Sequence, residues 1–250
     1  MFSPKTERIE KLSEIFSKRT KELEGLFSDR TVIYIDWANA LHWQRKFEWH
    51  IHLGRMKQLF DSFDTVGKVR LYTGTLSGNE KSEESNLEAV GQGYEVSTKP
   101  VKHMRLNIDT TSISEDSPDL LRDFIKKSLL SKLDLESVSF LNGKLKEMNA
   151  KGIRFLEEQK CNFDVEIGQD MFTDLNSGEF DTFILMSGDS DFQSSLQHLL
   201  DNDKKVVIFA TSGKVSTELH ELGVHIFDIK KIRELICWPR EIDQSIKAKL

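Results

Sequence analysis

The 250-residue chain holds only two cysteines, Cys161 and Cys237, far apart in sequence. That excludes a disulfide framework and any cysteine-based zinc spacing, and it fits a reducing cytoplasm. No apolar run approaches the roughly 20 residues that a bilayer span requires. The opening Met1-Phe2-Ser3-Pro4-Lys5 lacks the apolar core of a signal peptide. There is no Walker-type loop and no Gly-x-Gly-x-x-Gly turn for a nucleotide phosphate. Ser187 and Ser190 have no placed base, so a Ser-His-Asp arrangement is not supported. His42, His50 and His52 read as surface or packing residues. An excess of positive charge is also missing. The net charge is −6, so any contact with nucleic acid must use a local basic patch.

What is present is an ordinary globular balance, 38% hydrophobic and 30% charged. The length suits one large α/β domain with attachments, or two small domains, and permits a sizeable core. Residues 4–28 have the spacing of a helix, with Ile9, Leu12, Phe16, Leu23 and Phe27 on one stripe. The stripe packs on the domain or serves as a homodimer arm; Arg19 interrupts it, which favours packing. Strands are then expected at 31–36, 69–73 and 94–97, with helices at 56–63 and 80–90 between them. That alternation marks parallel βαβ units. Residues 101–150 break the rhythm, with a Ser/Thr/Asp-rich loop from Thr110 to Pro118 and an amphipathic helix from Asp119 to Leu133. This segment reads as an insertion over the sheet, or a lid. The rhythm returns with helices at 164–175, 192–200, 215–222 and 230–236 and strands at 182–186, 205–210 and 224–227. Phe183-Ile184-Leu185-Met186 and Val206-Val207-Ile208-Phe209 are continuously apolar, as central parallel strands should be. The expected division is a helical extension at 1–28, a domain at 29–240 containing the 101–150 insertion, and a tail at 241–250.

Two strands end in acids. Val32-Ile33-Tyr34-Ile35-Asp36 leads into Trp37-Ala38-Asn39, and Phe183 to Met186 leads into Ser187-Gly188-Asp189-Ser190-Asp191. In a parallel sheet the carboxyl ends of such strands meet in one crevice, where ligands bind. Like charges gathered there repel unless a cation sits among them, which points to a hard divalent metal and phosphate chemistry. Each acid also has a plainer reading. Asn39 fits an N-cap or Asx turn, and Asp191 fits a helix cap as well as it fits a ligand. Gly188 is read as the residue that lets the chain turn sharply. Asp164 opens a helix beside Phe163, Val165 and Ile167, which argues that this turn approaches the core; Asp170 and Asp174 read as solvated. Lys160 is placed to balance charge or meet a phosphate. Trp43, Arg45, Lys46, Phe47 and Trp49 interleave aromatic and basic groups just past the first acidic tip. That suits single-stranded nucleic acid, or equally a helix packing its aromatics. Lys99, Lys102, His103 and Arg105 could add phosphate contacts.

These residues carry a resemblance. Strand-Asp36-x-x-Asn39, Lys160 ahead of Asp164-Val165-x-Ile167, Phe-Asp-Thr-x-Ile-Leu-x-Ser-Gly-Asp-Ser-Asp-Phe over 180–192, and Lys-Lys-Val-Val-Ile-x-Ala over 204–210 resemble the NYN domain. This LabA-like group belongs to the PIN-like nuclease superfamily. The likeness runs from about Thr31 to Ile236 and is strongest over Asp181–Ala210. It implies an α/β, Rossmann-like (PIN-like), mostly parallel sheet flanked by helices. It also implies an acidic cluster of Asp36, Asn39, Asp164, Asp189 and Asp191, with the four aspartates binding Mg²⁺ or Mn²⁺, and hydrolysis of RNA phosphodiesters. Two departures stand out. Trp37 occupies the usual glycine position, where it could offer a stacking face, and Lys160 sits one residue further from Asp164 than is common.

The expected function is therefore a cytoplasmic, metal-dependent (endo)ribonuclease acting on single-stranded RNA, with no membrane partner. Asp36, Asn39, Asp164, Asp189 and Asp191 would be catalytic, and Trp37, Trp43, Arg45, Lys46, Lys160 and Ser187 would hold substrate. The rival is a non-catalytic NYN-fold module that binds RNA or protein. A phosphatase is disfavoured, because Asp36-Trp37-Ala38 lacks an Asp-x-Asp.

Overall fold

A computed structural model describes residues 1–76, 78–111, 132–211 and 213–250; for Arg45, Lys46 and Gln159 it describes the backbone alone. The chain forms two compact units, one of Met1–Pro100 with Cys161–Leu250 and one of Val101–Lys160.

The larger unit is built on six parallel strands: β1 (Thr31–Asp36), β2 (Val66–Thr75), β3 (Glu95–Pro100), β6 (Thr182–Met186), β7 (Lys205–Ala210) and β8 (His225–Asp228). Their order is β3-β2-β1-β6-β7-β8. The order reverses direction between β1 and β6, which pair in register from Thr31↔Thr182 to Ile35↔Met186. A doubly wound sheet opens its ligand crevice at such a switch point, beyond the carboxyl ends of the strands. Val32 to Ile35 and Phe183 to Met186 are buried throughout. Covering both sheet faces demands such unbroken apolar strands.

Helices α1 (Glu7–Ile15) and α2 (Ser17–Leu26) precede the sheet. The sequence suggests one continuous helix here, but the backbone breaks at Phe16 (φ −107°, ψ 38°). Ile9, Leu12 and Leu23 are fully buried. The apolar stripe is thus spent on this chain's own core. Helix α3 (Trp37–Phe47) leaves β1, and α4 (Leu53–Asp61) and α5 (Glu80–Gly91) flank β2 in sequence. Each starts at a side-chain cap: Asp36, His52 and Asn79 accept from the third residue onward, satisfying a donor the helix leaves open.

The smaller unit pairs β4 (Lys102–Asn107) with β5 (Phe155–Lys160) as an antiparallel ribbon and carries α6 (Leu135–Ala150). Asn149 ties it together, accepting from Thr110 N (2.7 Å) and donating to Ile108 O (2.8 Å). The sequence reading missed both strands, because β4 is exposed along its whole length and shows no alternation. Most of the expected loop and of the expected helix between Thr110 and Leu133 lies outside the described residues.

Helix α7 (Asp164–Ser177) ends at Gly178 in the left-handed region (φ 66°), a usual glycine stop. A 3₁₀ turn (Ser190–Phe192) then leads into α8 (Gln193–Asp201). Helices α9 (Thr217–Glu221), α10 (Arg233–Ile236) and α11 (Gln244–Lys247) complete the larger unit.

Asp174 corrects the sequence reading. It is 2% exposed, not solvated. It accepts from Tyr34 Oη at 2.7 Å and from Arg70 Nε and Nη2 at 3.0 Å each. Lys68 Nζ stands 3.5 Å away. One turn earlier, Asp170 accepts from Tyr72 Oη at 2.6 Å. These contacts clamp α7 to β1 and β2. Burial and the Asp174 charge push the Tyr34 phenol well above its ordinary value, so it stays a donor.

Candidate active site

Asp36 ends β1 and caps α3: its Oδ1 accepts from Asn39 N at 3.2 Å. The cap is therefore Asp36, whereas the plain sequence reading assigned it to Asn39. The second carboxylate oxygen accepts from Ser187 Oγ at 3.1 Å. That hydroxyl in turn accepts from Asp189 N at 3.3 Å. Ser187 thus bridges the tips of β1 and β6. It is fully buried, and its hydroxyl holds the two acids in position.

Asp189 caps the 3₁₀ turn by accepting from Asp191 N at 3.2 Å. The capping role that the sequence offered to Asp191 falls to Asp189, and Asp191 is exposed. Gly188 is also not what the sequence implied, because its φ lies outside the left-handed region. A Cβ there would meet Lys214 O at 2.1 Å. The loop after β7 approaches this backbone closely, with Ser216 N donating to Gly188 O at 3.0 Å. Gly188→Ala is expected to lower stability by about 1–3 kcal/mol, the usual cost of overpacking, and to displace the Asp189 carboxylate. Thermal unfolding checks the first effect. A melting temperature equal to wild type would show that the loop yields freely.

Asp164 opens α7, its backbone N–H donating to Asn162 Oδ1 at 2.9 Å. Phe163 and Ile167 beside it are buried, but Val165 is 69% exposed, so only part of the expected apolar turn faces inward. Burial first, then the charges of Asp189 and Asp191 and a shared hydrogen bond with Asp191, push the Asp164 carboxyl up to about 6. Burial likewise lifts Asp36, with Asp189 adding to the shift and the Asn39 and Ser187 hydrogen bonds opposing it. Ser187 thus links Asp36 to Asp189 at the switch point, and the Asp164 carboxyl responds to the charges of Asp189 and Asp191.

This gives a prediction with a definite sign. A carboxyl raised in the folded state contributes stability that is complete below its unfolded value. It is lost as pH rises through the folded one. Without metal, wild-type stability attributable to Asp164 should therefore fall between pH about 4 and about 6. Asp164→Asn should flatten that fall and be the more stable protein at neutral pH. Denaturant melts across this range in chelator test it; superimposable pH profiles would remove Asp164 from the group.

The other expected substrate residues fall on α3 and at the end of β5. Trp43 is 2% exposed and Trp49 is 4% exposed, so both indoles belong to the core. Phe47 stacks on Trp49 with centroids 5.3 Å apart. Trp37 is half-buried against the core beside Asp36. The side chains of Arg45 and Lys46 lie outside the description. Lys160 ends β5 of the smaller unit, opposite Lys102. Arg105 there pairs with Glu157 at 3.2 Å. Lys99 is engaged by Glu166 at 2.7 Å, a partner the sequence reading missed, and lies 4.5 Å from the Phe163 ring centre. Only the Lys99 position at the end of β3 and the spacing along α7 could have signalled it.

Among the described residues no three His, Cys, Asp or Glu side chains converge into a closed metal cage. Asp36 and Asp189 each turn one oxygen to a backbone N–H. The donor set nonetheless fits a hard divalent ion. It is all carboxylate and amide oxygen, and a cation would offset the Asp189 and Asp191 charges that add to burial in lifting Asp164.

The fold is a doubly wound, mostly parallel α/β sheet with acids at its switch point. The family model described as "NYN domain" matches residues 121–229. The chain is 24% identical over 208 residues to "Low amplitude and bright protein LabA" of Synechococcus elongatus, covering 83% of this chain and 87% of that protein. The crystal structure of a protein of unknown function from Vibrio parahaemolyticus shares the fold. Its TM-score is 0.51 at 16% identity, over 84% of this chain and 96% of that one. The chain is thus similar to NYN-domain and LabA-like proteins. Among the described residues no helix is long and apolar enough to cross a membrane.

Proposed function

We propose that this protein is a metal-dependent ribonuclease that hydrolyses RNA phosphodiester bonds at Asp36, Asn39, Asp164, Asp189 and Asp191. The observation that carries the reading is the pair of acidic strand tips, Asp36 on β1 and Asp189 after β6, that Ser187 links at the switch point. Asp36 and Asp189 would hold Mg²⁺ or Mn²⁺, with Asp164 and Asp191 completing the set. A bound ion of this kind neutralises charge on the scissile phosphate and lowers the pKa of an attacking water. Ser187 fixes the relative position of Asp36 and Asp189 through its two hydrogen bonds. Trp37, beside the crevice, could stack on an unpaired base, which favours single-stranded RNA.

The open spacing of the carboxylates supports a second reading, a binding module without turnover. Incubation of end-labelled single-stranded RNA with Mn²⁺ or with chelator, beside Asp36→Asn, separates the two. Cleavage that requires metal and Asp36 supports the nuclease. RNA retained intact by wild type and variant alike supports the module.

A further inference from the structure

A second cavity, of about 650 Å³, lies among residues of α1, α4 and the segment after α10. None of the acids at the switch point lines it, and it has the size of a small-molecule site. Its walls carry Arg8, Arg55, Lys57 and Lys247, with Asp61 as the counter-acid. That acid is already taken, since Lys57 Nζ meets it at 2.5 Å.

The arginines are the unusual feature. Arg55 is 5% exposed, and its Nε and Nη1 have no hydrogen-bond partner. Its Nη2 reaches Glu234 O at a long 3.4 Å. Arg8 gives its donors to neutral acceptors, Leu235 O at 2.9 Å and Gln58 Oε1 at 3.1 Å. The two guanidinium groups feel each other: burial first and then the Arg55 charge bring Arg8 down to about 10. A buried guanidinium with idle donors is costly unless an acceptor joins it. A phosphate is the acceptor that this geometry serves best, because arginine matches its oxygens and the first turn of α4 adds a favourable dipole.

The remaining walls describe the rest of the ligand. Gln92 Oε1 is buried without a donor. His52, Pro239 and Ile242 supply flat and apolar surface. Burial, then Arg55, holds the His52 imidazole below its ordinary value, so it stays neutral and able to stack. Trp238, 41% exposed, packs against it with ring centres 4.5 Å apart.

We propose that this cavity binds a nucleoside monophosphate, with the phosphate between Arg8 and Arg55, a sugar or base donor on Gln92 Oε1, and the base along His52. The proposal is independent of the nuclease reading, since it uses none of the same residues.

The test is thermal unfolding of the full chain in chelator, with adenosine 5′-monophosphate, inorganic phosphate or chloride at matched ionic strength. The expected order of stabilisation is nucleotide above phosphate above chloride, and Arg8→Gln should weaken apparent nucleotide affinity at least tenfold. Asp36→Asn should bind as wild type does. His52 ring resonances provide a readout without substitution and should move with the same midpoint. The proposal is overturned by any of three results: no stabilisation by the nucleotide beyond phosphate, stabilisation undiminished in Arg8→Gln with His52 unmoved, or stabilisation by an oligonucleotide alone.

Discussion

Asp174→Ala is expected to lower the unfolding free energy by about 3–5 kcal/mol, the cost of removing one partner from a buried ion pair. Asp174 is 2% exposed and receives two hydrogen bonds from Arg70 and one from Tyr34. Removing it takes from the Arg70 guanidinium, 16% exposed, its most buried partner, with Glu95 at 3.1 Å and Asp170 at 3.5 Å remaining, and leaves the Tyr34 hydroxyl without its acceptor. The packed sheet cannot readily admit water to replace both contacts. Asp170→Ala is the internal comparison. Asp170 is 31% exposed and accepts from Tyr72, so its loss should cost less. Urea denaturation at neutral pH measures both. An Asp174→Ala midpoint within error of wild type would mean that the clamp between α7 and the sheet contributes nothing. Because α7 also carries Asp164, the variant should lose activity through displacement of that carboxyl.

The second large effect is on activity with the fold kept. Asp36 and Asp189 each cap a helical turn, and asparagine caps as well as aspartate. Asp36→Asn and Asp189→Asn therefore remove charge while keeping the local hydrogen bond. Stability without metal should hold within about 0.5 kcal/mol of wild type, or rise slightly as repulsion is relieved. RNA cleavage should fall by about 10²–10⁴-fold, the range for losing a positioned proton-transfer or ligand group. Ser187→Ala should lie between, losing about 10–100-fold, as is typical for a residue that orients a ligand. If these acids serve only as caps, all three variants would cleave at the wild-type rate.

The sheet was legible in the sequence because burial on both faces forces unbroken apolar strands, and Thr182–Met186 and Lys205–Ala210 fall where that pattern puts them. The acidic strand tips were legible for the same reason: each follows an apolar run and precedes a helix. Partnerships across the chain were not legible. Asp174 lies ten residues after Asp164, which turns it roughly 80° from the same face at about 100° per residue. Sequence spacing tells that the faces differ, but not that the second face meets Arg70 and Tyr34, 104 and 140 residues away. Gly188 looked like a turn residue because the contact that requires it comes from Lys214, on another loop. The aromatics of α3 and of Trp49 just after it read equally as a stacking surface or as core. Only the buried positions of Trp43 and Trp49 decide between these. The ribbon of β4 and β5 escaped because exposed strands carry no periodic burial to read.

The central claim is that the switch-point acids form a divalent-metal site. Calorimetric titration of Mn²⁺ into metal-free wild type and into Asp189→Asn tests it most directly. The account predicts saturable binding to wild type, at least tenfold weaker in Asp189→Asn, with both proteins equally folded before titration. Equal Mn²⁺ affinity in the two would contradict it.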